Sequence, residues 1–293
     1  MRTLVIVNPV AGQGRGLKVL SRVENQLTRR GLDVSVYRTR YAGDATEKSQ
    51  SAVRQGIELV VGVGGDGTIT EIANGLAGTA TILGVVPAGT VDVFAREMGI
   101  PVQLDKACGV IAEGDLARID LGKAGARYFT LVASAGIDAQ LIRDVSPEAK
   151  RVLKDLAYPL TGLKTLLTHR PILMKVTIDG KKREDGYFVV IGNAKYYAGR
   201  FSITTKATID DGFLDVCIFK KGDIGSFVKY IQGVVRGRHL RYPDVVYERA
   251  TSVIVENEGS LVQADGDLIG RTPMRFEIAA GALTVRVPRA RQD

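Results

Sequence analysis

Apolar and polar positions along this chain follow two rhythms, and the change falls near residue 122. Before it, short unbroken apolar runs such as Leu4–Val7, Leu59–Val63 and Ile82–Val86 alternate with stretches whose apolar residues recur every three or four positions. Unbroken β-branched runs mark strands buried on both faces, and the longer spacing marks helices packed by one face. The pattern predicts strands over 3–8, 32–39, 58–63 and 82–86, and helices over 16–30, 44–55, 68–77, 90–98 and 103–113. A βαβ succession of this kind builds a mainly parallel sheet.

Beyond Asp120-Leu121-Gly122 the chain becomes strand-rich. Candidate strands are Tyr128–Ala133, Ile172–Ile178, Tyr187–Gly192, Leu214–Phe219, Ser252–Val255, Leu261–Ala264, Met274–Ile278 and Leu283–Val287, with turns such as Asp179-Gly180 and Asp185-Gly186 between them. They predict an antiparallel sandwich, interrupted by helical segments near 146–168 and 222–236. The expected organisation is therefore an α/β N-terminal domain with a mainly parallel sheet over 1–122 and a C-terminal antiparallel β-sandwich domain over 123–293.

Composition narrows the class. No run approaches the ~18 apolar residues of a membrane span, and Met1-Arg2-Thr3 leads straight into a strand without the features of a signal peptide. Two cysteines, Cys108 and Cys217, suit buried thiols in a reducing, cytoplasmic setting better than a disulfide. With only two histidines besides, the chain lacks the donors of an ordinary zinc site, so any metal is oxygen-ligated. A net charge of +8 suits ATP, nucleic acid or an anionic lipid surface, and equally a generic basic surface. There is no RNP-type aromatic motif, no zinc-finger spacing and no tryptophan, so nucleic acid is not an expected partner.

The most informative stretch runs from Leu59 through Gly64-Gly65-Asp66-Gly67-Thr68 into the helix pattern after Ile69. A strand that empties into glycines at a helix N-terminus presents backbone N–H groups to phosphate oxygens, and the helix dipole favours the negative charge. Asp66 would repel a naked phosphate, which implies a bridging cation or a hydroxyl to be activated. The carboxylate, not the fold of the turn, is its expected contribution. An Asp-Gly turn in an ordinary α/β protein is the plain alternative. Two further strands end the same way, in Asn8-Pro9-Val10-Ala11-Gly12-Gln13-Gly14 and in Pro87-Ala88-Gly89-Thr90. Loops at the carboxyl ends of parallel strands gather in one crevice.

Together these residues resemble the diacylglycerol kinase catalytic family, which includes bacterial soluble lipid kinases and sphingosine kinases. Asn8-Pro9 with Gly12 and Gly14, the Gly64–Thr68 turn, and Pro87–Thr90 ahead of Phe94-Ala95-Arg96 carry the likeness. It continues in Gly136-Ile137-Asp138-Ala139, Asp210–Asp215, and Asp265-Gly266-Asp267 followed by Pro273, so it spans nearly the whole chain.

The resemblance implies a nucleotide domain, a sandwich domain and an active cleft between them, with ATP as donor, Mg²⁺ as cation and a membrane lipid, diacylglycerol first, as acceptor. It implies phosphate and nucleotide contacts from Asn8, Gly12, Gly14, Thr39, Gly64, Gly65, Asp66, Gly67, Thr68, Gly89 and Thr90. Asp66, Asp92 and Asp120 would converge on hydrated Mg²⁺; relatives carry Asn-Asp where this chain has Asp92-Val93. A structural Mg²⁺ would take the Asp211 carboxylate and the carbonyls of Thr208 and Phe213; by itself that stretch is only a polar turn. The general base would be Asp267, a Glu in the bacterial relatives, or else Asp66. The plain alternative for Asp265–Asp267 is a tight hairpin turn.

Two features bear on lipid access. Apolar residues between Ser146 and Arg170 recur at helical spacing among cations, which fits a helix on an anionic membrane surface or one packed on the sandwich. Tyr196-Tyr197-Ala198-Gly199-Arg200 lies near the acceptor cleft in the family, or is simply a loop. The expected setting is cytoplasmic, with transient peripheral association and no transmembrane segment; a homodimer is open. Two other functions stay open: an NAD kinase-like enzyme, which shares the Gly-Gly-Asp-Gly-Thr turn, and a catalytically silent nucleotide-responsive regulator.

Overall fold

A computed structural model describes residues 1–144, 171–197, 199, 201–257 and 259–289. The amphipathic segment expected from Ser146 to Arg170, together with Ala198 and Arg200 of the tyrosine loop, lies outside the described residues. The chain divides into two compact units. Unit 1 comprises Met1–Leu121, Ile209–Asp211 and the chain from Ala279 onward; unit 2 comprises Gly122–Thr208 and Gly212–Ile278. Among the described residues no helix is long and apolar enough to cross a membrane.

Unit 1 alternates strand and helix: β1 (Arg2–Val7), α1 (Arg15–Arg29), β2 (Asp33–Arg38), α2 (Asp44–Arg54), β3 (Leu59–Gly64), α3 (Asp66–Leu76), β4 (Ile82–Pro87), α4 (Val93–Glu97) and α5 (Leu104–Glu113). Its strands pair in parallel, β2 with β1, β1 with β3 and β3 with β4. Val5, Val7, Val61 and Val63 from the sheet close over Leu20, Val23 and Leu27 of α1 and Ile111 of α5, all buried. Each such side chain contributes about 1.5–3 kcal/mol on burial. On β3 a side chain at Gly62 would sit 2.6 Å from the Ile69 terminal methyl and 2.8 Å from that of Ile72, so this glycine lets α3 lie directly on the strand.

The remaining elements are β5 (Asp115–Ala124), β6 (Arg127–Phe129), β7 (Val132–Ala135), α6 (Ile137–Asp144), β8 (Met174–Ile178), β9 (Lys182–Gly186), β10 (Phe188–Gly192), β11 (Leu214–Phe219), α7 (Ile224–Val235), β12 (Val245–Ala250), β13 (Ser252–Val255), β14 (Leu261–Ala264), β15 (Asp267–Arg271) and β16 (Met274–Val287). In unit 2, one antiparallel sheet has the order β12-β11-β10-β7-β14-β15. A second antiparallel group joins β16 to β13, β13 to β8 and β8 to β9. Their inner faces share a core that includes Phe129, Val189, Ile191, Val216, Val253 and Phe276.

Three expectations need correction. The C-terminal segment does not all belong with the sandwich: Thr284 and Val285 pair in parallel with Ile82 and Leu83 of β4, which adds a strand to the unit 1 sheet. The two strands expected at Met274–Ile278 and Leu283–Val287 are one, because the Ala279–Ala282 stretch between them stays extended apart from Gly281 at φ +57°. The helix expected from residue 90 starts only at Val93, since Asp92 stands in the left-handed region at φ +52°.

Candidate active site

The phosphate turn forms as its residues dictate. β3 ends at Gly64, and Gly65 caps α3 in an extended conformation, so the helix begins at Asp66. Two of the turn's glycines, and Gly89 of the loop after β4, have a packing reason. A side chain at Gly64 would strike Thr68 Oγ1 at 2.6 Å, one at Gly89 would strike Gly65 Cα at 2.6 Å, and one at Gly65 would crowd Gly89 Cα at 3.1 Å. Gly67 has none: a Cβ there meets no atom within 4 Å, and the residue is exposed. A bare backbone in the first turn of a helix, where N–H groups lack intrahelical acceptors, is what an anion needs.

The loop after β1 closes beside this turn. Gly12, at φ +54°, is pressed against β4's end so tightly that a Cβ would lie 2.0 Å from the Ala88 carbonyl oxygen. Asn8 bridges the two loops: its Nδ2 donates to Thr68 Oγ1 at 3.3 Å, and its Oδ1 accepts from Val10 N at 3.1 Å. Thr39 follows β2, its N–H donating to the Val7 carbonyl at 2.9 Å. Asn8, Thr39 and Thr68 line a cavity of about 310 Å³ with Arg40, Tyr41 and Glu71. That volume is in the range of small-ligand sites, about 300–1,000 Å³.

The cavity's far wall is braced. Glu71 accepts from Gly43 N at 2.9 Å and Ala45 N at 3.2 Å, satisfying the start of α2. Asp44, nearly inaccessible, is penalised by burial. Hydrogen bonds from Tyr37 Oη at 2.8 Å and Arg40 N at 2.8 Å, with the Arg40 guanidinium, outweigh that and hold its carboxyl below the ordinary value.

Asp66 does more than carry charge. Its Oδ1 accepts from Phe94 N at 2.8 Å and its Oδ2 from Val93 N at 3.1 Å, so it satisfies the first N–H groups of α4. The expectation that the turn is structurally indifferent to this carboxylate is therefore corrected. Asp92 accepts from Gly89 N at 2.9 Å; burial first, then the charge of Asp66, raises its pKa, with Arg15 opposing. Asp120 is buried elsewhere in unit 1, accepting from Gly281 N at 2.6 Å while its own N–H donates to the Ile209 carbonyl. Among the described residues no three acidic, histidine or cysteine side chains form a direct metal-binding group. Asp66 and Asp92 thus share one neighbourhood, and the described bonds of Asp120 lie in another.

In unit 2, β14 and β15 are joined by the two-residue turn Asp265-Gly266, both with positive φ (+49° and +89°), the I′ geometry of a tight hairpin. The Asp265 carboxylate accepts from Thr130 N at 2.6 Å, Thr130 Oγ1 at 2.8 Å, Leu131 N at 2.9 Å and Val132 N at 3.0 Å. Asp267 opens β15 with its side chain 55% exposed and ion-paired to Arg127. So the hairpin and the acid coexist: Asp265 is consumed by structure, and Asp267 is presented to solvent. Beneath them, Gln263 Oε1 accepts from Gly266 N at 2.9 Å, and its Nε2 donates to Ser134 Oγ at 2.7 Å and to buried Asp138 at 3.4 Å. In the 208–213 loop the Arg249 guanidinium stacks 4.2 Å from the Phe213 ring centre.

Residues 2–124 match the model of the diacylglycerol kinase catalytic domain, and residues 131–287 match that of the YegS C-terminal NAD kinase beta sandwich-like domain. A protein from Bacillus subtilis (strain 168) named diacylglycerol kinase is 32% identical over 280 residues, covering 94% of this chain and 92% of its own length. The chain belongs to the diacylglycerol kinase family. A diacylglycerol kinase of Staphylococcus carnosus (strain TM300) is 30% identical over 94% of this chain and 91% of its own. The crystal structure of a diacylglycerol kinase from Bacillus anthracis str. Sterne superposes with a TM-score of 0.79 at 29% identity, over 98% of this chain and 96% of that one. The kinase thus has the α/β and antiparallel-sheet domains of its relatives, and family membership gives ATP as the donor to expect.

Within the kinase, Asn8, Thr39 and Thr68 meet at one cavity, and Gly12, Gly64, Gly65 and Gly89 pack the loops beside it. Thr90 is exposed at the end of the third loop, and Gly14, at φ +84°, caps α1. Sequence reasoning missed Arg40, Tyr41 and Glu71. The first two follow Thr39 directly, at the carboxyl end of β2, and that position was the available signal.

Proposed function

We propose that the kinase transfers the γ-phosphoryl group of ATP to the hydroxyl of diacylglycerol, giving phosphatidic acid and ADP. The exposed, unencumbered backbone of Gly67 at the start of α3, beside a cavity of about 310 Å³, is the observation that carries this reading. The nucleoside occupies the cavity along Thr39, Arg40 and Tyr41, and Gly67, Thr68, Gly12 and Gly14 receive the phosphates. Transfer is in line: the acceptor oxygen bonds to the γ-phosphorus as the bond to the β-bridging oxygen breaks. The acceptor proton passes to the Asp267 carboxylate, which Arg127 orients. Asp267 suits this role because Asp265 accepts four bonds from the chain, and Asp66 holds two N–H groups of α4.

Mg²⁺ fits the donor sets. Asp66 and Asp92 are neighbouring carboxylates offset only in part by Arg15, and a hydrated divalent cation held by these two would relieve that repulsion; Asp120, whose described bonds lie elsewhere, is left out of the set. In the 208–213 loop, the Asp211 carboxylate and the carbonyls of Thr208 and Phe213, all hard oxygen donors, would hold a structural ion. Bound Mg²⁺ neutralises charge on the phosphates; orientation and proton removal remain with the side chains. The acceptor places the kinase transiently at the cytoplasmic membrane surface.

The test is to incubate purified protein with γ-labelled ATP, Mg²⁺ and, separately, detergent-dispersed diacylglycerol, ceramide, sphingosine or undecaprenol. Labelled phosphatidic acid from the first alone is the expected result. Label in another lipid, or in none while ATP binds, contradicts it.

A further inference from the structure

Helix α7 is pinned to unit 2 by one face and presents an apolar stripe on another. Tyr230 is buried against Phe219, ring centres 4.8 Å apart, and a side chain at Gly233 would sit 2.5 Å from the Tyr242 ring. Asp223 caps the helix, accepting from Ser226 N at 2.9 Å. Ile224, Val228, Ile231 and Val235 are nevertheless 47%, 43%, 46% and 58% exposed. At 100° per residue these four fall within about 60° of arc, a continuous ridge and not a scatter. The helix exists without them, so they are available for something else.

Charge decides what covers the ridge. Residues 220–244 hold six Lys and Arg against two Asp, half of the chain's net +8. Asp223 is spent on the cap, and Asp244 is spent on Lys229, 2.9 Å away. Exposed Lys221 precedes the helix, and exposed Arg236, Arg238 and Arg241 follow it. A second copy docked face to face would bring these cations against one another. An anionic bilayer pairs with them while its acyl chains take the ridge.

We propose that α7 is a membrane-docking helix that lies in the surface of an anionic bilayer with Ile224, Val228, Ile231 and Val235 inserted. The inference rests on the lipid-kinase reading, because an acceptor held in a membrane is what gives such docking a use.

The chain has no tryptophan, so Ile231→Trp places one reporter on the ridge. The full chain is titrated with phosphatidylcholine vesicles containing about a third phosphatidylglycerol, and with pure phosphatidylcholine. Expected are a blue shift with the anionic vesicles only, reversed by raising salt to about 0.5 M, and at least tenfold weaker co-sedimentation of Val228→Ser/Val235→Ser. That double variant keeps its phosphorylation of detergent-dispersed diacylglycerol. A tryptophan that stays unshifted while the protein pellets with vesicles overturns the proposal. So does a dimer in sedimentation equilibrium that the double variant dissolves without loss of vesicle binding. If no lipid is phosphorylated in detergent but the double variant still loses vesicle binding, docking stands and the kinase reading fails.

Discussion

Two glycine-and-aspartate turns in this molecule use the same residue types in opposite ways. In Gly64-Gly65-Asp66-Gly67 the backbone is what is presented, and the carboxylate is tied down by Val93 N and Phe94 N. In Asp265-Gly266-Asp267 the backbone is the hairpin, the first carboxylate is tied to the Thr130–Val132 backbone, and the second is presented. What a carboxylate does is thus set by which groups already donate to it. A tied acid should register in stability, and a presented one in rate.

The sharpest break of this comparison is Asp267→Asn. It should lower single-turnover transfer by about 10³-fold, within the usual range for a lost general base, with nucleotide binding and thermal midpoint unchanged. Asp267→Glu should retain substantial activity. Asp265→Ala is the converse: three N–H groups and a hydroxyl lose a charged acceptor, and urea unfolding should show a loss of about 3 kcal/mol. If Asp265→Ala leaves stability intact, the division of labour within this turn is wrong.

The phosphate turn gives smaller effects. Gly67→Ala should fold normally, since its Cβ has open space, yet weaken ATP binding by about 10–100-fold in calorimetry, or 1.4–2.8 kcal/mol. Asp66→Asn should cost about 1–2 kcal/mol, because the amide can face only one of the two α4 N–H groups as an acceptor.

How much of this was legible in the chain depended on who each residue's partner is. β1, β3 and β4 are buried on both faces and read as unbroken apolar runs. β9 (Lys-Arg-Glu-Asp-Gly) and β15 (Asp-Leu-Ile-Gly-Arg) carry no apolar alternation. They are strands because β8 and β14 pair with them, which local pattern cannot show. β5 was missed for a related reason, its first half being mostly exposed. In the site, the glycine turns were visible because their requirement is local. The hold of Asp66 on α4 and that of Asp265 on Thr130 span 27 to 135 residues and left no local trace.

Acid should reveal the smallest member of the tied class. Hydrogen bonds hold the buried Asp44 carboxyl below its ordinary value, so its stabilisation is present above the unfolded pKa, about 3.9, and is lost as pH falls through the folded one. Asp44→Asn should flatten the decline of the unfolding free energy below pH ~4 by less than about 1 kcal/mol. An unchanged acid limb removes Asp44 from the class.

Phosphoryl transfer to a lipid hydroxyl, with Asp267 taking the proton, is the central proposal. Its most direct test is single-turnover transfer from γ-labelled ATP to detergent-dispersed diacylglycerol by the wild-type protein and by Asp267→Asn side by side. Expected are labelled phosphatidic acid from the wild type and a rate about 10³-fold lower from the variant, with ATP bound equally by both. Equal rates, or no phosphatidic acid from ATP-bound wild type, would contradict it.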